Sequence, residues 1–300
     1  MFLKQDTLNT NPFWKYLLGS FIVIIFSIIG QLPLSFFLTV EAISQAGGDP
    51  MAALRNLDKN LQLLLILIPF VFGFFGLYLV IKKLHNRSFK SIITLRNKVD
   101  WYRIIHSFTL WAILIFTFFL TDFFINSEDY QLNFKFEKFI ILFIVSLLLI
   151  PIQTSLEELI FRGYLFQGFS LYFRRPWIGL LITSAIFGSL HIFNPEVQKL
   201  GLGVLVYYTG TGLFLGIITL MDEGIELALG FHAANNFITS LLVTSSWTAF
   251  QTESIFIDIS EPSLLGETII SMLILYPLFY MYLFKKYKWF DLKSKLLIKI

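Results

Sequence analysis

Glu157, Glu158 and Arg162 fall within Ser155 to Gly163, an otherwise apolar stretch preceded by the run Phe139 to Ile150 and followed by Tyr164, Leu165 and Phe166. In hydrocarbon each ionised group costs about 2.5–3.5 kcal/mol at mid-bilayer on insertion scales. Such groups persist there when they pair, line a polar cavity or do chemistry. Helical pitch sorts the three. Glu158 and Arg162 are i and i+4, about 40° apart, so they share a face and can pair. Glu157 lies about 100° round from Glu158 and about 140° from Arg162. The cluster divides into a neutralised pair and a spare carboxylate. A spare carboxylate held out of water is suited to accept a proton as a general base. Pro151 precedes this turn and is expected to kink the helix, freeing a carbonyl.

Two histidine features follow. Phe187 to His191 ends an apolar run that starts at Trp177, and His232 stands four residues before Asn236, on the same helix face. Gly230, Ala233 and Ala234 are small enough to let a neighbouring helix approach. Between the first two features, Phe173-Arg174-Arg175-Pro176 reads as a helix stop and connector. If the flanking helices fold back there as a hairpin, Glu158, 17 residues before Arg175, and His191, 16 after it, come level. Both then lie about 24–26 Å from the turn at 1.5 Å per residue. A histidine and an amide can donate to a developing oxyanion. Glu157, His191 and His232 would also supply the two-His, one-carboxylate set of a catalytic zinc site, although the H-E-x-x-H pattern is absent. The residues themselves leave both readings open. Taken singly, each feature has a plainer account: a structural ion pair, an interfacial histidine, interhelical hydrogen bonding. His85 and His106, beside basic loops, read as structural.

These groups must be held by membrane helices. Of 300 residues, 56% are hydrophobic and 14% charged, with 35 Phe, whereas a soluble domain is about a quarter charged. Eight apolar spans are predicted, at 16–40, 62–81, 104–125, 139–168, 177–193, 201–220, 225–246 and 265–284, giving an all-α polytopic transmembrane bundle in a single domain, 1–300. With the N-terminus inside, the cytoplasmic segments hold 17 Lys and Arg and the outer ones 5. Both termini are therefore expected in the cytoplasm. The basic stretches Lys82 to Arg103 and Lys285 to Lys299 read as topology determinants beside anionic lipid, not as nucleic-acid surfaces. The absence of Cys excludes disulfides, thiolate metal sites and a cysteine nucleophile. The first span lacks a small-residue cleavage site, so it reads as uncleaved.

The three features, Glu157-Glu158-Leu-Ile-Phe-Arg162, Phe187 to His191, and His232 to Asn236, resemble in order and spacing the motifs of the CAAX prenyl protease and bacteriocin-processing (CPBP, or Abi) family. The resemblance covers about 139–246, the expected catalytic core. It implies peptide-bond hydrolysis within the membrane, at a site opening toward the cytoplasm. The depth count, in contrast, places the groups far from a cytoplasmic turn. Carried over, Glu157 acts with His191 to activate a water, His232 with Asn236 stabilises the oxyanion, and Glu158 and Arg162 support them. The family is commonly named as metalloproteases, so the resemblance leaves open a zinc held by Glu157, His191 and His232 or a metal-free glutamate mechanism. The expected partners are a peptide or protein substrate, reached from the membrane or cytoplasmic side, and membrane lipid, with no nucleic acid. The expected location is a bacterial inner membrane. Two other functions fit the buried charges: a proton-coupled transporter, whose relay uses the same residue types, and a non-catalytic membrane protein of the bacteriocin-immunity type.

Overall fold

The polypeptide, seen in a computed structural model that describes residues 1–6, 9–264 and 269–300, places a helix at each of the eight predicted spans. The principal helices are α1 (Phe13–Gly30), α2 (Lys59–Leu79), α3 (Trp101–Ile125), α4 (Phe136–Glu158), α5 (Phe166–Phe173), α6 (Pro176–Ser189), α7 (Val204–Asp222), α8 (Glu226–Leu242) and α9 (Ser271–Lys286). Residues 265–268, the start of the last predicted span, lie outside the described residues. Among the described residues, five helical stretches are long and apolar enough to cross a bilayer: Phe13–Ser35, Lys59–Leu84, Trp101–Ile125, Phe136–Phe173 and Val204–Asp222. The others are shorter. Helix α6 has 14 residues, which rise about 21 Å against a hydrocarbon core of about 30 Å.

Local chemistry sets the boundaries that matter. Asp58 caps α2 by accepting from the Asn60 and Leu61 amides, and Asp100 caps α3 through the Arg103 amide. The expected stop at Phe173 is present: Arg174 adopts a left-handed conformation (φ 55°) and Pro176 opens α6, where its missing N–H costs nothing. Between α4 and α5 the chain does not break. It passes through a π-helical segment, Leu159–Leu165, so that one rod runs from Phe136 to Phe173. Pro151 lies inside α4.

Helix α4 packs between α2 and α8, α3 packs along α8, α1 along α2 and α6 along α7. The α3–α8 contact is close because Gly230 has no side chain. A Cβ there would collide with the Ile104 carbonyl oxygen and the Phe108 amide nitrogen, both backbone. Gly230→Ala is therefore expected to push α8 off α3, lowering the yield of folded protein and its thermal midpoint. Fluorescence-detected size exclusion and a melting curve in detergent would check this.

The two ends of the bundle differ. At one end the N-terminal segment, the 82–103 loop, the α5–α6 and α7–α8 turns and the C-terminal tail are tied together. Arg96 pairs with Asp222 at 3.0 Å and Glu226 at 3.1 Å, Arg103 with Asp222, Lys295 with Glu223, and Arg87 with Asp6 at 2.9 Å. The Ile300 amide donates to the Arg174 carbonyl. The opposite end carries a feature absent from the sequence reading, a three-stranded sheet of order β1 (Tyr130–Leu132), β3 (Phe256–Asp258), β2 (Val243–Thr244). β1 runs antiparallel to β3 and β2 parallel to it. Lys138 pairs there with Glu253 at 2.8 Å.

His85 sits just past the second membrane helix, its side chain fully buried, with Nε2 2.9 Å from the Tyr164 hydroxyl. Burial pushes its pKa down to about 4; Arg87 lowers it further and Asp6 opposes. The unfolded histidine takes up its proton near pH 6.5, so acid favours the unfolded chain. Stability is present above about pH 6.5 and falls as pH drops toward 4, by up to about tenfold in the unfolding equilibrium per pH unit. His85→Asn should flatten this part of a melting-temperature profile against pH.

Candidate active site

The α4 rod, α6 and α8 bring the three motifs to one place. Arg162 Nη1 donates to Glu158 Oε1 at 2.8 Å, the pairing that the i, i+4 spacing predicts, and both side chains are buried. His232 on α8 donates from Nδ1 to the same Glu158 oxygen at 2.7 Å. Glu158 thus holds the His232 ring through one nitrogen and turns the other, Nε2, toward Glu157 Oε2 at 3.7 Å. That gap is too long for a direct hydrogen bond, and a water lying off the line between the two atoms could reach both.

The second oxygen of Glu157 is held from the other side. Gln153 donates from Nε2 to Glu157 Oε1 at 2.6 Å and accepts at Oε1 from Asn236 Nδ2 at 3.0 Å. Asn236 in turn accepts from Asn235, whose own carbonyl accepts from the Trp111 indole N–H. A chain of amides therefore links α8 to Glu157 and fixes its rotamer.

Phe187 is the floor between the two histidines. Its carbonyl lies 2.7 Å from His191 Nδ1, which assigns the proton to that nitrogen and leaves Nε2 with a free lone pair. Its ring lies 4.8 Å from the His191 ring, 6.4 Å from that of His232, and 4.3 Å from the Arg162 guanidinium carbon. Tyr208 stacks on His191 with centroids 4.1 Å apart. His191 lies within electrostatic reach of both Glu157 and His232.

The expected residues therefore converge, with one change of emphasis. The hairpin count makes His191 the partner of Glu157, but the ring nitrogen facing Glu157 Oε2 is that of His232. Rise along a helix fixes depth and says nothing of direction around it, and α8 supplies the direction. Gln153 and Tyr208 stand outside the three motifs. Gln153 stands four residues before Glu157, so the i, i+4 rule could have found it; Tyr208 leaves no such signal. Among the described residues no group of three or more His, Asp and Glu side chains is arranged to hold a metal ion. His232 has both nitrogens turned to glutamates. As these side chains stand, Glu157, His191 and His232 are not gathered into a three-ligand set.

The chain is thus a polytopic helical membrane protein with a carboxylate–histidine site inside its bundle. Residues 136–238 match the pattern of type II CAAX prenyl endopeptidase Rce1-like proteins. The uncharacterized protein YyaK of Bacillus subtilis (strain 168) is 31% identical over 239 residues, which cover 79% of this chain and 80% of that protein. No solved structure matches. The protein belongs to the Rce1-like type II CAAX prenyl endopeptidase family, a family of membrane proteases.

Proposed function

We propose that the protein is an intramembrane endopeptidase that hydrolyses a peptide bond with a water activated by its own side chains. The observation that carries this is the double anchoring of Glu157. One carboxylate oxygen is fixed by Gln153, and the other faces the Nε2 of a histidine that Glu158 orients. In this reading Glu157, with the free lone pair of His191 beside it, takes a proton from water. The hydroxide adds to the scissile carbonyl carbon. Asn236 donates its remaining amide N–H to the oxygen on which negative charge develops, and His232 does so through Nε2 only when that nitrogen also carries a proton, Nδ1–H being engaged by Glu158; such preorganised donors contribute a few kcal/mol. Glu157 then passes its proton to the leaving amide nitrogen as the C–N bond breaks. Arg162 balances the charge of Glu158, the anchor of His232.

The basic end of the bundle is read as cytoplasmic, with both termini there, in a bacterial inner membrane. Incubation of the purified protein in lipid nanodiscs with a mixture of membrane-anchored peptides in ¹⁸O-water tests the reaction. The expected result is cleavage with one ¹⁸O atom in each new carboxylate. Peptides left intact by an enzyme shown to be folded would overturn the proposal.

A further inference from the structure

A second cavity, of about 200 Å³, opens at the basic end, between the chain leading into α3, the end of α7 and the segment that follows α9. Its volume is more than ten times the roughly 10–15 Å³ that one water needs. Arg96, Arg103, Lys288 and Lys295 bring four cations to its wall, and Asp222 is the one carboxylate among the described residues that line it. We infer that this cavity binds the phosphate of an anionic phospholipid headgroup.

The ion pairs within the wall leave part of this charge unused. Asp222 is fully engaged, its two side-chain oxygens accepting from Arg96 and Arg103. Lys295 is spent as well: an ammonium has three N–H donors, and these go to the Leu220 and Met221 carbonyls and to Glu223. Behind the wall, Glu226 takes Arg96 and Asp100 takes Arg103. Two groups remain. Lys288 is exposed and has no hydrogen-bond or ion-pair partner among the described residues. Arg103 Nη2 has none there either, while Nε and Nη1 are held by Asp100 and Asp222 and the guanidinium carbon lies 4.0 Å from the centre of the Tyr287 ring. A guanidinium already fixed through two nitrogens offers the third at little cost in side-chain freedom. The Lys288 ammonium, on its flexible stem, can close on the same anion as a point charge. Lys285 and Lys286, in the last turn of α9, are exposed just before it.

The setting selects a lipid over a soluble anion. Tyr287, Trp289 and Phe290 line the cavity beside Lys288, and Phe290 is 75% exposed. Trp101 and Tyr102, which open α3 just before Arg103, are also exposed. Aromatic side chains of this kind gather at the headgroup level of a bilayer, and basic pockets between membrane helices take anionic headgroups. An acyl chain lying against Phe290 holds its phosphate beside Lys288, whereas a free phosphate gains nothing from that ring. The bound headgroup would join the segment after α9 to the start of α3 and so stabilise the folded protein.

The test is a titration of the delipidated 300-residue chain, in a neutral detergent, with short-chain phosphatidylglycerol or phosphatidylcholine. Native mass spectrometry counts the bound lipid, and the melting temperature is followed in parallel. Phosphatidylglycerol is expected to bind saturably and raise the melting temperature, and phosphatidylcholine to do neither. Lys288→Gln should weaken phosphatidylglycerol binding about fivefold, the scale of one surface cation, while Lys98→Gln, exposed at the same end, should leave it within about twofold. Because Lys288 has no partner to lose, Lys288→Gln should melt with the wild type when no lipid is present. Equal losses in the two variants would mean diffuse attraction to a basic surface and would overturn the site. A melting shift from soluble glycerol phosphate as large as that from phosphatidylglycerol would overturn the lipid assignment, and no saturable binding would overturn both. None of these measurements depends on peptide cleavage.

Discussion

Glu157→Gln is expected to leave a folded, membrane-inserted protein whose turnover is at least about 10³-fold lower, the scale lost when a general base is removed from a preorganised site. The change is nearly isosteric. An amide oxygen can still accept from Gln153, and the neighbouring Glu158–His232–Arg162 set is untouched, so the melting temperature should hardly move. What disappears is the capacity to take and return a proton. Glu157→Asp is the companion measurement: it keeps the carboxylate but draws it back by about one bond from His232, whose Nε2 now lies 3.7 Å away. Activity between that of wild type and Glu157→Gln would show that position as well as charge matters. Turnover within tenfold of wild type for Glu157→Gln would remove Glu157 from the mechanism.

Arg162→Ala should act first on stability. Glu158 has no exposed surface, and its side chain has Arg162 and His232 as partners at 2.8 and 2.7 Å. Removing the guanidinium leaves a carboxylate buried with insufficient compensation, at a cost of about 3–5 kcal/mol. The Phe187 ring would also lose the cation packed on it. Much reduced accumulation in the membrane is the expected outcome. The double variant Glu158→Gln with Arg162→Met removes both charges and should recover most of the folded protein. It should not recover activity, because His232 then lacks the carboxylate that holds its ring. A double variant with wild-type turnover would mean that Glu158 does not act through His232.

The parts of this site legible in the sequence were those governed by helical pitch. The Glu158–Arg162 pair, the stop at Arg174 and Pro176, and the close approach permitted by Gly230 all follow from spacing or from one residue's steric character. What escaped was set by contacts between segments distant in the chain. Tyr208 reaches His191 only because α7 returns beside α6. The sheet joins residues 130–132, 243–244 and 256–258, each run too short to show a period of two. Hydropathy extends the 14-residue α6 to a full span because apolar residues continue past Ser189 to Phe193; it does not reveal where the backbone stops being helical. The coarse result, a helical bundle with its three motifs together, survives these differences because the apolar pattern and the polar exceptions were independent signals.

The widened turn Leu159–Leu165 gives the first motif a mechanical meaning. An α-helix completes a revolution in 3.6 residues, while a π-turn, bonded i to i+5, uses more chain for the same revolution. The half of the rod bearing Glu157 and the half bearing α5 are therefore out of phase with each other. That offset lets Glu157 aim at α8 while Gly163 meets the Ile92 carbonyl and Gly168 lies under the Tyr16 ring. Deleting one residue from the turn would restore a continuous phase and rotate α5 away from both contacts, although every side chain proposed to act in hydrolysis would still be present. The spacing between Glu158 and Gly168 thus acts as a rotational setting.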